Sequence, residues 1–273
     1  MTGASAPEVT HPAVSDPLAS RDPDFVRRTL PLWWPALRVW LRPEIRGLEH
    51  IPPTGPALLV GNHSGGNVAP DTIVFAVAFS RFFGAERPFF QLAHDLVLAV
   101  PWLRVLRRYG TVSASRESAR AALAAGAAVL VYPGGDWEVH RPSWERNRID
   151  FHDRHGWVRL ARESAAPVVP LVAVGGQETA LFLSRGDHLA RALHLHKWLH
   201  TDVLPISIAA PWGLDVGDVL GHVPLPAKIT IEVLEPIDVR TYADGTVAYD
   251  AIVDRMQTAL DRLADARRWP ILG

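Results

Sequence analysis

The 273-residue chain has no cysteine. That single absence excludes a disulfide scaffold, thiolate zinc sites, iron–sulfur clusters and a cysteine nucleophile. Net charge is close to absent as well: 28 Lys+Arg against 29 Asp+Glu leave −1, which argues against nucleic-acid binding through a basic surface. No apolar run approaches the roughly 20 residues that span a bilayer; Ile73–Phe79 and Leu96–Leu103 have only the length of a core element. Residues 1–24 lack the apolar segment of a secretory signal, and their Pro, Ser, Thr and Asp predict a loose tail. Internal repeats at 20–50 residue spacing are also missing, so one domain over 47–273 is expected after an N-terminal segment.

Tryptophan and proline are plentiful, at 10 and 23 residues, in a chain that is 48% hydrophobic and 21% charged. This is a globular mixture, large enough to bury a core without a metal or disulfide staple. Segment 25–46 interleaves Trp33, Trp34, Trp40 and leucines with five arginines and one glutamate. Val26, Leu30, Trp33, Leu37 and Trp40 fall at helical spacing, so an amphipathic, interfacial helix is expected, with Trp33-Trp34 favouring a membrane surface over packing on the domain. Strands are expected at 57–61, 128–132, 168–174 and 228–234 and an extended run at 205–209. Helices are expected from Pro70, over 92–108 with a break near Pro101, after a Ser115 cap, over 154–165 and 189–199, and at the C-terminus. Alternation of the two predicts an α/β fold, a mixed and mostly parallel sheet flanked by helices, with sites in the loops at strand ends.

Three such loops carry chemistry-bearing residues. Asn62-His63-Ser64-Gly65-Gly66 follows the first long strand, and Asp71 opens the next helix. A histidine in a glycine-rich loop approaches a substrate closely, and an aspartate on its second ring nitrogen fixes the tautomer; the alternative is a histidine that caps a turn beside an aspartate serving its own helix. Tyr132-Pro133-Gly134-Gly135, with Glu138 four residues after Gly134, follows the second strand and is either a backbone cradle for an oxyanion or phosphate, or an ordinary Pro-Gly turn. Gly110 and Arg116 suit a phosphate, or form a solvated basic surface. Trp137, Trp144 and Trp157 surround the second loop as acyl-pocket or core candidates. His188, His194, His196 and His200 are expected on a solvated helix, with no bound metal.

In order and approximate spacing these blocks resemble the glycerolipid acyltransferase superfamily, the lysophosphatidate-acyltransferase-like proteins. Its His-x4-Asp, Gly-x5-Arg, Phe-Pro-Glu-Gly and Val-Pro blocks are matched by His63 with Asp71, Gly110 with Arg116, Tyr132-Pro133-Gly134-Gly135, and Val169-Pro170. The chain departs by placing seven residues between His63 and Asp71, and Gly134 where the family has glutamate; the His63-Ser64-Gly65-Gly66 loop and the Tyr132-Pro133-Gly134-Gly135 block with Glu138 look closer to the diacylglycerol acyltransferase 2-related branch. The resemblance implies transfer of a fatty acyl group from acyl-CoA to a hydroxyl of a glycerolipid or related lipid, in the setting of phospholipid biosynthesis. His63 is then the general base and Asp71 its partner; Ser64, Gly65, Gly66, Arg116, Tyr132, Pro133, Gly134, Gly135 and Glu138 contact substrate, with Glu138 alternatively organising the Gly134-Gly135 loop. No cofactor is implied beyond acyl-CoA as co-substrate. The expected partners are acyl-CoA, a lipid acceptor and the cytoplasmic face of a membrane, bound peripherally, with no nucleic acid. A lipid esterase or thioesterase using the same pair, and a non-catalytic lipid-binding protein, are the other readings.

Overall fold

A computed structural model of the chain describes residues 18–199, 201–219, 221–267 and 269. The described residues form ten strands: β1 (Glu44–Arg46), β2 (Ala57–Gly61), β3 (Phe89–Ala93), β4 (Thr111–Ser113), β5 (Ala128–Val131), β6 (Val168–Val174), β7 (Leu181–Ser184), β8 (Ile206–Ala209), β9 (Gly213–Val216) and β10 (Thr230–Val233). Seven make one sheet in the order β1-β10-β6-β2-β5-β3-β4. Strands β6, β2, β5, β3 and β4 are parallel; β10 runs against β6, with β1 alongside it. The sheet is mixed and mostly parallel, as the sequence predicts.

Helices α1 (Pro23–Trp40), α2 (Pro70–Phe83), α3 (Asp95–Ala99), α4 (Arg116–Ala124), α5 (Gly135–Val139), α6 (Gly156–Ser164), α7 (Asp187–Ala192), α8 (Leu195–Trp198) and α9 (Gly245–Asp265) complete the fold. The central strands are apolar without alternation because both faces are covered. Leu58 and Val60 pack on one side with Ala122, Leu160, Ile252 and Met256 from α4, α6 and α9. Leu59 packs on the other with Phe75 and Phe79 of α2 and Leu37 of α1. Strands β7, β8 and β9 form a separate antiparallel sheet with its own small core of Ala180, Phe182 and Ala209.

Several boundaries depart from expectation. Strand β5 ends at Val131 and β10 covers only 230–233. The helix expected over 92–108 begins as strand β3 and continues as α3 and a 3-10 stretch over 101–109. Gln91 explains the misreading: this polar residue sits inside β3 because its Nε2 donates to Thr111 Oγ1 at 2.7 Å across the sheet. The expected helix over 189–199 is two short ones, parted at His194, whose φ is +54°; His200 lies outside the described residues.

The N-terminal segment also differs. Residues 1–17 lie outside the described part, but from Leu18 onward the tail is tied down: Arg21 donates to the carbonyls of Ala85 and Arg87 at 2.6 and 3.0 Å. Helix α1 starts at Pro23, capped by Asp22, and ends at Trp40; residues 44–46 pair as a strand. Its buried face keeps Val26, Leu30 and Leu37 of the predicted stripe but takes Trp34 and Leu41 in place of Trp33 and Trp40, which are exposed. Each indole settles where its N–H finds an acceptor, Trp33 on Tyr109 Oη at 2.9 Å and Trp40 on Pro224 O at 2.7 Å.

Candidate active site

The parallel register of β2 and β5 brings the two glycine-rich loops to one edge of the sheet. At the end of β2, Asn62 replaces the lost ladder. Its amide donates to Ala173 O at 3.0 Å and accepts from Ala173 N at 2.7 Å, holding β2 to β6 just before His63. The chain then turns through Gly65 and Gly66, both at positive φ, and Ala69 at φ +47°, into α2. These left-handed residues accommodate the long spacing and bring Asp71 back under the histidine.

Asp71 is buried, and its Oδ2 faces His63 Nδ1 at 3.3 Å. The same oxygen accepts the Ser64 N–H at 2.8 Å and the Ser64 hydroxyl at 3.1 Å, while Oδ1 accepts from Thr72 N at 2.7 Å. Ser64 therefore supports the carboxylate and is itself buried. The imidazole stacks on Tyr132, centroids 4.1 Å apart and planes 8° from parallel. Glycine is required at position 61 for this: a Cβ there would lie 2.7 Å from the Tyr132 ring. The Tyr132 hydroxyl is buried, and burial, then the Asp71 charge, push its pKa well above the ordinary phenol value. The His63 side chain is 15% exposed, and its Nε2 has no hydrogen-bond partner among the described residues. The pair thus offers one open, sp2 nitrogen whose opposite N–H faces a carboxylate.

Glu138 takes the loop-organising place that the sequence left open beside contact with substrate. It is sealed beneath the loop, 0% exposed, so it supports the histidine and does not face substrate. Its Oε2 accepts the His63 N–H at 3.0 Å, and Arg141, also buried, donates to the His63 carbonyl. Desolvation raises the Glu138 carboxyl to about 7, against the opposing pull of Arg141. Gly134 makes this arrangement possible, since a Cβ on it would lie 2.6 Å from the Glu138 Cβ. The backbone cradle is partly spent: the Gly135 N–H closes a turn onto Tyr132 O at 3.0 Å. The Pro133 and Gly134 carbonyls accept from Arg154 at 3.3 and 2.9 Å.

Arg116 is not brought to this group. It stands on the exposed flank of α4, 3.5 Å from Glu163, which Arg120 also engages. The three tryptophans separate as well: Trp157 is buried beside Phe151 and Tyr249, Trp144 is exposed, and Trp137 donates to Asp150 at 2.9 Å. Among the described residues no group of three or more His, Asp or Glu is arranged to hold a metal.

Residues that the sequence reading missed complete the support. Gln177 accepts from Gly65 N at 3.1 Å and donates to Arg141 O. Asp218 accepts from Asn67 N at 2.6 Å and is flanked by His222 at 3.2 Å and His140 at 3.5 Å; hydrogen bonds from these groups hold its carboxyl far below its ordinary value despite burial.

The Acyltransferase family model matches residues 42–174, a span that includes His63, Asp71 and Glu138. An uncharacterized protein of Mycobacterium tuberculosis is 33% identical over 239 residues, covering 84% of this chain and 63% of that protein. The chain thus spans less than two thirds of that relative's length. The "DGAT1/2-independent enzyme synthesizing storage lipids" of Bos taurus is 27% identical over 179 residues, 65% of this chain and 50% of that one. Among solved structures, the 1-acyl-sn-glycerophosphate (LPA) acyltransferase PlsC of Thermotoga maritima shares the fold, with a TM-score of 0.54 at 16% identity over 90% of this chain and 79% of its own. The Acyltransferase match thus spans both site loops, and the fold is shared with the PlsC structure.

Proposed function

We propose that the chain is an acyl-CoA-dependent O-acyltransferase that acylates a hydroxyl of a glycerolipid or related lipid at a membrane surface. The observation that carries this reading is His63, with Nδ1 against Asp71 at 3.3 Å and Nε2 without a partner among the described residues. Nε2 takes the proton of the acceptor hydroxyl as its oxygen attacks the thioester carbonyl carbon. The C–O bond forms, the C–S bond breaks, and the proton passes from Nε2 to the departing thiolate, which leaves as coenzyme A thiol. Asp71 stabilises the transient imidazolium and is not itself protonated. No acyl-enzyme is involved, in keeping with a chain that has no cysteine and with Ser64 turned onto Asp71. No helix among the described residues is long and apolar enough to cross a membrane, so the reading is of peripheral attachment.

The test is release of coenzyme A thiol from oleoyl-CoA by the full chain, with diacylglycerol, lysophosphatidate or a long-chain alcohol in mixed micelles and ester product followed alongside. Ester formation that falls by at least ~10²-fold in His63→Ala supports the proposal. Thiol release with free fatty acid and no ester marks a hydrolase. Lipid binding without turnover, unchanged by His63→Ala, marks a non-catalytic member.

A further inference from the structure

Along the stretch 203–226 the usual sorting of residues is reversed. Every exposed residue described there is apolar or glycine, including Ile208, Trp212, Leu214, Val216, Val219 and Val223. The polar ones turn inward: Ser207, Asp218 and His222 are buried and Asp215 is half-buried. Strand alternation makes this systematic. Leu181, Ile208 and Leu214 lie in one cross-strand row over β7, β8 and β9, and Ile206 pairs with Val216 in the next. Phe182, Ser207 and Ala209 occupy the opposite, covered face.

We infer that this outward face of the small sheet, with the loop after it, is the surface by which the protein docks on a lipid bilayer. An apolar face of this extent is not left to water without an occupant, and three observations point to hydrocarbon. First, the polar groups of the stretch are turned away from its outward face: the Trp212 indole N–H donates to Gly221 O at 2.8 Å, Asp218 is bonded to Asn67 and His222, and Asp215 Oδ2 and His222 Nε2 are buried without a partner. A protein partner normally meets a polar rim with direct hydrogen bonds, which this stretch does not offer. Second, the surface is continuous with the site. Asp218, between exposed Val219 and buried sheet, accepts from Asn67 N at 2.6 Å and its carbonyl from Asn67 Nδ2 at 2.7 Å, four residues from His63. Docking here brings the loop of His63 to the surface that holds the lipid substrates. Third, tryptophan marks the patch, as interfacial surfaces require: exposed Trp212 lies within it and Trp40 of α1 joins it through Pro224. The docking surface differs from the α1 stripe expected from sequence, which is largely spent on the core.

The inference rests on the proposed function only in taking the substrates to be lipids, and its test needs no turnover. Because the chain has no cysteine, single changes Ile208→Cys, Leu214→Cys and Val219→Cys accept an environment-sensitive fluorophore cleanly, with Leu32→Cys on α1 and Ala124→Cys on α4 for comparison. Vesicles of phosphatidylcholine and phosphatidylglycerol should shift emission to the blue at 208, 214 and 219 and leave position 124 unchanged. In co-sedimentation with the same vesicles, the triple change Leu181→Thr, Ile208→Thr and Leu214→Thr, which places β-branched strand formers at these exposed positions, should weaken binding more than tenfold, about 1.4 kcal/mol, with an unaltered circular dichroism spectrum. If the triple variant misfolds, the three single-label measurements decide. A shift at Leu32 alone, no shift at all, or a shift produced by raising protein concentration without vesicles overturns the inference, the last by revealing a second copy as the occupant.

Discussion

Glu138 lies directly beneath the backbone of His63, its Oε2 accepting the histidine N–H at 3.0 Å while Arg141, three residues further on, donates to the His63 carbonyl. The peptide groups on both sides of the imidazole are thereby fixed by one buried ion pair.

Removing one member of such a pair strands the other. Glu138→Ala leaves the Arg141 guanidinium buried without its carboxylate, and a loss of about 3–5 kcal/mol in stability is expected. Glu138→Gln keeps an acceptor for the His63 N–H and should fold. Turnover should fall without a matching change in KM, because the side chain positions the base and does not touch substrate. Urea unfolding and steady-state kinetics on the two variants check this; an increase confined to KM would return Glu138 to the substrate surface.

The same carboxyl gives the protein a pH dependence. Burial raises it to about 7 from an ordinary 4.5. Below about 4.5 it is protonated in both folded and unfolded chains and contributes nothing to the difference. Between the two values the unfolded chain has already lost the proton that the folded chain keeps, so stability falls as pH rises, and the loss is complete above about 7. Glu178, also raised to about 7 by burial, acts with the same sign. The Tm of the wild type should therefore decline relative to Glu138→Gln between pH 5 and pH 8. A difference that is flat or rises across that range refutes the assignment.

Asp71→Asn removes the charge on which His63 Nδ1, Ser64 N and Ser64 Oγ converge. The amide cannot stabilise imidazolium and can present its NH2 to Nδ1, favouring the wrong tautomer. Turnover should drop at least ~10²-fold, with the KM for acyl-CoA little altered. Equal turnover in wild type and variant would leave Asp71 as a helix-start residue only.

For Arg116 the sequence reading and the geometry give different outcomes. A phosphate ligand lost in Arg116→Ala would raise KM for lysophosphatidate over that for diacylglycerol. The exposed pairing with Glu163 favours no selective change, and a stability loss under about 1 kcal/mol. Comparing KM for the two acceptors separates them.

What could be read from the sequence was local. Asp71 sits at a helix start signalled by Pro70, and His63 in a loop signalled by glycines after an apolar strand, so their pairing was within reach of spacing arguments. The central strands announced themselves by unbroken apolar runs. The supports of the loop were not legible in that way: Gln177 meets Gly65 over 112 residues and Asp218 meets Asn67 over 151. Such contacts follow from strand order, which no periodicity records. For Glu138 the sequence left contact with substrate and support of the loop both open, because burial of an acid depends on the arginine that the fold delivers to it. The α1 stripe holds at Val26, Leu30 and Leu37 and yields to Trp34 and Leu41, because Trp33 and Trp34 are equally apolar and the Tyr109 hydroxyl that takes the Trp33 N–H is a long-range contact.

The two loop glycines afford a test of how far the geometry of the histidine depends on the backbone. Gly65 is at φ +91°, and a Cβ there would lie 2.5 Å from Pro70 Cδ and 2.9 Å from Gly176 O. Gly66, at φ +64°, faces Asp218 Oδ2 and the His222 and Phe182 rings, so a methyl group would force the carboxylate off Asn67. Gly55 is a control on the opposite account: φ is +75° with nothing within 4 Å of its Cβ. Gly55→Ala should cost only the left-handed backbone term, about 1–2 kcal/mol, and leave turnover intact. Gly65→Ala and Gly66→Ala carry the same backbone cost and must in addition move the loop between His63 and Asp71. Their turnover should fall well beyond that of Gly55→Ala at comparable Tm. If all three variants lose stability alike and keep their turnover, the histidine tolerates a displaced loop, and the close packing around Gly65 and Gly66 serves folding alone.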